Sequence, residues 1–367
     1  MKYNLDKVLM ARYTEFINSY IFKDIPEYSK SEYWKLHAAK VKISLKSDSV
    51  EAEGESGFYS PSKWTPYLII KKLVKLIITN PSYLIFRIKK IIGLPVNGIK
   101  HLSYFTAFNK TMKSDPISEP QFILSRINFS SIVKNSFVYK THKECQLHYD
   151  KVSKGANFSD HILIAYYFLN ILNSYTSLKS NPKPLILEIG GGNGNLSSVI
   201  KFHSKQATII DIDLPETISH AILYISNLFP EAKILMPHEA KPGQDLNSYD
   251  FVFLTPNQIN LIKDESIDLS INIHSFQEMT PIQINEYFEL IQRASKNNSY
   301  FFTSNRTEKI PSGEEEASFE KISNTEPIRF SEFPWHSSNQ VIIYEICRLF
   351  RLVQLDSIFN RLEKIKK

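Results

Sequence analysis

The chain has only two cysteines, Cys145 and Cys347, and neither stands in a C-x-x-C pair. That excludes a disulfide framework and gives no signature of a structural zinc site. Glycine is scarce, at 11 of 367 residues, and the 18 prolines are spread thinly, so the chain is neither collagen-like nor of low complexity. No run reaches the roughly 18 apolar residues of a membrane span, and the opening MKYNLDKVLMARYTEF lacks the uninterrupted apolar core of a signal peptide. The expected address is the cytoplasm, a reducing compartment. Acidic residues are missing from one long stretch: Ser56 to Ser114 holds ten Lys or Arg and no Asp or Glu. The net charge of +6 therefore divides into +10 on that stretch and −4 elsewhere. A localised patch of this kind attracts anionic partners, whereas a mild overall excess says little.

What is present is a globular composition, 43% hydrophobic and 22% charged, with 24 Phe and 19 Tyr arguing against global disorder. The length suits one large domain or two. Residues 1 to about 140 read as a mainly helical region, with candidate helices at Ser31 to Lys42, Tyr67 to Ile78 and Ser82 to Ile92. At about 100° per residue, Lys71, Lys72 and Lys75 share one arc, opposite Ile69, Leu73, Leu76 and Ile77. Residues 67–92 are thus expected either to dock on an anionic membrane, at the inner face of a cell membrane, or to pack on the rest of the chain with a solvated basic face. No nucleic-acid partner is expected.

From residue 141 the pattern changes. After a helix at Asp160 to Ser174 and the turn-rich Asn181-Pro182-Lys183-Pro184, short apolar runs alternate with amphipathic ones, the signature of βα units and a mostly parallel, doubly wound sheet. Strands are expected at Leu185 to Ile189, Ala207 to Ile212, Phe251 to Leu254, Leu269 to Ile273, Tyr300 to Ser304 and Val341 to Ile346. Helices are expected at Asn195 to Phe202, Pro215 to Leu228 and Pro281 to Ala294, two of them with Pro in the first turn, where its missing N–H costs nothing. The acidic piece Glu308 to Glu326 reads as a loop.

LILEIGGGNGNLSSVI carries the chemistry: a buried-strand run, an acid, glycines at 190, 191, 192 and 194, then a helix whose free N–H groups face a ligand. A dinucleotide fingerprint, G-x-G-x-x-G, fails in both registers, because Asn195 or Ser197 falls where its third glycine belongs. No Gly-Lys-Ser/Thr follows, which excludes a phosphate-binding loop. A cofactor ribose calls for a carboxylate at the end of the next strand. ATIIDIDLPE supplies Asp213, with Asp211 second, and the first of these is 25 positions after Glu188. Either aspartate would also suit capping of the helix that follows. A rival reading takes Asp211-Ile212-Asp213 as the D-x-D metal site of a glycosyltransferase.

The strand at Leu269 to Ile273 runs into His274-Ser275-Phe276-Gln277-Glu278 at the sheet edge where open α/β folds bind ligands. An alcohol that is to be alkylated must lose a proton, and an imidazole suits that task, with a carboxylate to orient it. His274 is the candidate base and Glu278 its support, although Glu278 would equally cap the helix near Pro281. Gln277, Asn305 and Arg306, multi-donor side chains at the same edge, are candidates for holding substrate.

Glu188, Gly190, Gly192 and Gly194 form E-x-G-x-G-x-G, which resembles motif I of the class I S-adenosylmethionine (SAM) dependent methyltransferases. The resemblance implies that the glycines make room for the methionine end of SAM, that the acid holds its amino group and that Asp213, in its D-L-P context, holds the ribose. LEIGGGNG, DIDLPE, DLSINIHSFQEM and YFFTSNR occur in an order that resembles the family of bacterial proteins assigned as sugar O-methyltransferases, over about residues 140 to 310. That resemblance implies a Rossmann-like domain at 141–367, transfer of a methyl group from SAM to a sugar or surface-glycan hydroxyl, a role in polysaccharide biosynthesis and no required metal. The alternative is a non-catalytic scaffold whose working surface is the basic segment.

Overall fold

In the computed structural model, residues 2–21, 41–53, 117–118, 160–178, 180–309, 328–351 and 354–367 are described. In chain order the elements begin with β1 (Lys2–Asn4), α1 (Lys7–Tyr20), β2 (Lys42–Leu45), β3 (Ser49–Glu53) and β4 (Ile117–Ser118). There follow α2 (Asp160–Tyr175), β5 (Leu185–Ile189), α3 (Asn195–His203), β6 (Thr208–Ile212), α4 (Pro215–Leu228), β7 (Ile234–Leu235), β8 (Phe251–Leu254) and β9 (Ile267–Ile273). The chain closes with α5 (Pro281–Ala294), β10 (Ser295–Arg306), β11 (Glu308–Lys309), β12 (Ile328–Arg329), β13 (Gln340–Arg351) and β14 (Gln354–Lys364).

Nine strands form the main sheet in the order β4-β13-β14-β10-β9-β5-β6-β8-β7. β5, β6, β7, β8, β9 and β10 are mutually parallel. β14 alone runs against its neighbours, lying between β10 and β13. The sheet is therefore Rossmann-like and doubly wound. It departs from the six-stranded dinucleotide order by this reversed strand slid in beside β10. The chain moves from β5 to β6 and out to the edge strand β7, steps back to β8 between them, then crosses to β9 on the other side of β5, so the topological switch point lies at the carboxyl ends of β5 and β9. Ligands bind there in open α/β sheets.

The strand β5 explains why its residues make a central strand. All five positions are buried, as expected of a parallel strand covered on both faces. Ile186 belongs to a core with Val199, Ile222, Phe168 and Phe302, while Leu185, Leu187 and Ile189 belong to the core on the opposite face with Ile291, Phe276 and Phe301. α5 starts at a capping box in which Thr280, not Glu278, caps: Gln283 N–H donates to Thr280 Oγ1 (3.4 Å) and Thr280 N–H to Gln283 Oε1 (2.8 Å).

Among the described residues of the N-terminal region, strands stand beside the helix α1. β1, β3 and β2 form a three-stranded antiparallel sheet, and Lys42, expected to end a helix, instead opens β2 opposite Glu53. The alternation in Lys42-Ile43-Ser44-Leu45, exposed then half-buried, is the period of a strand. α1 is capped by Asp6, whose carboxylate accepts from the N–H groups of Val8 and Leu9. Its Tyr13, Phe16 and Ile17 are fully buried in the same core as α4. The expected division near residue 140, the candidate helices at 67–78 and 82–92 and the basic stretch at 56–114 lie outside the described residues, as does most of the acidic loop at 308–326. Among the described residues no helix is long and apolar enough to cross a membrane.

Candidate functional site

The glycine turn leaves β5 at the switch point. Gly190 N–H donates to the Ile212 carbonyl (2.8 Å) and so holds the turn to the end of β6. Gly190, Gly192 and Gly194 all have positive φ, at 72°, 63° and 82°. Of these three, Gly192 is the one where an added Cβ would find nothing within 4 Å. Its backbone thus faces open space in a conformation that side-chain-bearing residues rarely adopt. Gly191 is required for a different reason: a Cβ there would fall 2.5–2.6 Å from the Asp211 carboxylate.

Three carboxylates gather under this turn. Glu188 is 3% exposed and accepts from Ser197 Oγ of α3 (2.5 Å). Asp211, 2% exposed, accepts from Gly191 N–H (3.1 Å) through Oδ1, while its buried Oδ2 has no hydrogen-bond partner among the described residues. Asp213 accepts from Gly192 N–H (2.9 Å) through Oδ2 and from Leu214 N–H (2.7 Å) through Oδ1, with Thr217 as a further side-chain donor. Asp213 therefore ties the turn to the start of α4 and still has lone pairs to spare.

Burial sets the proton affinities. It pushes Glu188 up to about 7 against the opposing Ser197 bond, helped by the charge of Asp213. It raises Asp211 well above the ordinary carboxylate range, with Asp213 and Glu188 adding to it. Asp213 rises to about 7 through burial, against the Leu214 and Gly192 amides, with the nearby Glu278 charge pushing the same way. Clustered negative charge without a neutralising cation is what a cationic ligand relieves.

The second half of the site follows β9. His274 has φ 58°, in the left-handed region, where His is among the more tolerated residues. Its N–H donates to the Ser304 carbonyl (2.7 Å), and its ring meets Phe168 of α2 edge-on, with centroids 6.2 Å apart. Phe276-Gln277-Glu278 form one 3-10 turn. Fully buried Phe276 stacks among Phe288, Phe301 and Phe333. Glu278 faces Asp213 closely enough for its charge to bear on it, which brings the catalytic and cofactor candidates together.

Gln277 and Asn305 are placed otherwise than as expected for substrate contacts. Asn305 is wholly buried. Its amide donates to Asn272 Oδ1 and Thr303 Oγ1 (both 2.8 Å) and its Oδ1 accepts from Gln277 N–H (3.3 Å). Gln277, 7% exposed, accepts from Arg306 N–H (2.8 Å) through Oε1. These amides knit strand ends together. Arg306 remains half-exposed at the end of β10. Sequence reasoning counted Gly191 among the loop glycines without giving it a role, and missed Ser197, Thr217, Asn272 and Ser275. Among the described residues, no group of three or more His, Cys, Asp or Glu is placed to share a metal ion.

No family model and no curated protein matches this chain. Solved structures similar to it include a SAM-dependent methyltransferase from Methanosarcina mazei, 16% identical, covering 53% of this chain and 97% of that one, with a TM-score of 0.34. Another is a phosphoethanolamine N-methyltransferase from Haemonchus contortus in complex with SAM, 11% identical over 56% of this chain and 52% of that one, with a TM-score of 0.35. A third is an arsenic(III) SAM methyltransferase from Chlamydomonas reinhardtii, 12% identical over 50% and 64%, with a TM-score of 0.31.

Proposed function

We propose that this chain is a SAM-dependent O-methyltransferase acting on a hydroxyl of a sugar or surface-glycan precursor. One observation carries the reading: a positive-φ glycine turn with an open face at Gly192 lies over three buried carboxylates, one oxygen of which lacks a partner. A cofactor with an ammonium, a sulfonium and a ribose fits that donor set. Its cations relieve the repulsion, and its hydroxyls can use the spare lone pairs of Asp213. A dinucleotide does not fit, since its pyrophosphate would add negative charge beside these acids.

When bound, SAM supplies an electrophilic methyl group. The chain's own contribution is to bind, orient and deprotonate. Glu188 and the turn from Gly190 to Gly194 hold the methionine end, and Asp213, with Asp211 beneath it, holds the ribose. His274 takes the proton of the acceptor hydroxyl on an imidazole nitrogen, and Glu278 stands between the two halves. Arg306 is the remaining side chain at the edge suited to a sugar hydroxyl. The choice of a sugar rests on the sequence resemblance; the site geometry supports methyl transfer to a weakly acidic group, because it supplies a base.

Calorimetry with SAM, its demethylated product and NAD tests the cofactor. SAM and the product should bind, NAD should not, and Asp213→Ala should weaken SAM about 10- to 100-fold, the loss of charge-assisted hydrogen bonds worth about 1.5–3 kcal/mol. Labelled methyl transfer to a panel of sugar acceptors tests the reaction. There His274→Ala should lower turnover about 10²–10⁴-fold with cofactor affinity near wild type. Binding of NAD in preference to SAM would end the proposal.

A further inference from the structure

The pair Asn272 and Ser275 straddles the candidate base, and we infer that these two residues are positioning residues that fix His274 in its left-handed conformation against the glycine turn. The inference rests on the proposed role of His274.

Asn272, the penultimate residue of β9, is wholly buried. Its Nδ2 donates to the Ile189 carbonyl (3.0 Å) and to Ser275 Oγ (2.5 Å), and its Oδ1 accepts from Asn305 Nδ2 (2.8 Å) and Phe276 N–H (3.4 Å). Two donors and two acceptor sites are the whole capacity of the amide. Every one of them is spent on an element of the site: the end of β5, the loop after β9, and β10. Ser275 Oγ then donates to the same Ile189 carbonyl (3.0 Å), which belongs to the residue just before the glycine turn.

His274 sits inside this loop of bonds. Its own N–H is held by Ser304, and the residues two before and one after it are bonded to each other through their side chains. A non-glycine residue persists at positive φ only where the surroundings over-determine it. The clasp supplies that determination, and Gly190 permits it. A Cβ at Gly190 would lie 2.2 Å from Ser275 Oγ, so the absence of a side chain there lets the serine reach the Ile189 carbonyl. One glycine of the cofactor motif thus serves the catalytic loop. The arrangement couples the two halves of the site through a carbonyl that both share.

The test combines a double-mutant cycle with a readout that does not need turnover. Ser275→Ala should lower kcat about 10- to 100-fold, as misplacement of a reacting group does. SAM Kd should stay within about two-fold, since the glycine turn keeps its own bonds to Asp211 and Asp213. In the His274→Ala background the same change should cost less than about two-fold, because a residue acting through His274 has nothing left to position. Independently, the imidazole resonance of His274, assigned by its loss in His274→Ala, should shift or broaden in Ser275→Ala. Ser275→Cys, which keeps the size of the side chain but weakens its hydrogen bonds to Asn272 and the Ile189 carbonyl, should reproduce the pattern in milder form if Ser275→Ala folds poorly. Equal losses in both backgrounds, a loss residing in SAM Kd, or an unmoved imidazole resonance would each overturn the inference. A wild-type protein that fails to bind SAM would overturn the proposed function instead and leave the resonance result to stand by itself.

Discussion

At the scale of single residues the site gathers three buried carboxylates that no cation among the described residues is seen to pair. Glu188 and Asp213 have proton affinities raised to about 7, and Asp211 is raised as well, all chiefly by burial. In the unfolded chain these groups titrate near 4, so between about pH 4 and pH 7 the native state binds more protons. Their stabilising contribution is complete below the unfolded values and is lost as pH rises through about 7. His220, held down to about 4 by burial, acts in the opposite sense below its unfolded value of about 6.5. The carboxylate effect is therefore read as a difference between variants. Melting temperatures of wild type and Asp211→Asn from pH 5 to 8 should diverge upward in pH, with the variant losing less stability. A parallel pair of curves would mean that Asp211 carries no excess proton. Binding of a cationic cofactor should tighten over the same range, with protons released to the buffer in calorimetry. The glycines separate binding from folding in the same way. Gly192→Ala adds a Cβ in open space at positive φ and should cost about 1–2 kcal/mol of stability while abolishing SAM binding. Gly191→Ala drives a Cβ into the Asp211 carboxylate and should destabilise the fold itself. Of this site the sequence showed the acids and the glycine spacing, because a turn that must approach a ligand cannot hide its glycines. It did not show Asn272 or Ser275, whose roles depend on which strand ends become neighbours.

At the scale of elements, what was legible depended on how each strand is covered. β5 and β8 were readable to the residue, since parallel strands buried on both faces stand out as unbroken apolar runs. β14 was not. Gln354 to Lys364 mixes its few apolar residues with Asp, Ser, Asn, Arg, Glu and Lys and shows no unbroken apolar run, yet it is a strand because β10 and β13 pair with it on either side. There Arg361 and Glu363 are paired to each other and Arg361 lies over the Trp335 ring at 4.1 Å, so charged residues are tolerated inside the sheet. The 3-10 turn bearing Glu278 depends on Phe276, the anchor of the aromatic cluster beneath it. Phe276→Ala should cost about 3–5 kcal/mol, seen as a lower denaturant midpoint. The surviving folded protein should lose turnover more than SAM affinity, because the anchor lies under the loop that carries the proposed base His274 and not under the glycine turn. Equal loss of both would place Phe276 in the general core only.

At the scale of the whole molecule, α1 is joined to the doubly wound sheet by more than tethering. Tyr13, Phe16 and Ile17 share one core with Ile218, Ile222 and Ile225 of α4. Tyr13 donates to the Ser219 carbonyl (3.2 Å). Arg12 grips Glu239 with two nitrogens (2.6 and 2.7 Å) and also donates to the Ile234 carbonyl. Fork-on-carboxylate geometry of this kind adds direction as well as energy. The burial explains a feature of α4, nearly all of whose residues are buried although helices flanking a sheet usually keep a polar outer face. α4 is buried on most sides because α1 belongs to the same core. The segment before residue 22 should therefore unfold with the doubly wound sheet and not ahead of it. Phe16→Ala should lower stability by about 3–5 kcal/mol while preserving a single cooperative transition, and hydrogen exchange should then quicken together in α1 and α4. Separate transitions, or exchange that quickens in α1 alone, would show α1 to be an independent appendage. The same truncation also tests how far the site depends on the segment. α1 packs on α4, whose start is fixed by Asp213, so loosening α1 should weaken SAM binding through Asp213 while leaving the Ser275 clasp and the His274 resonance unchanged.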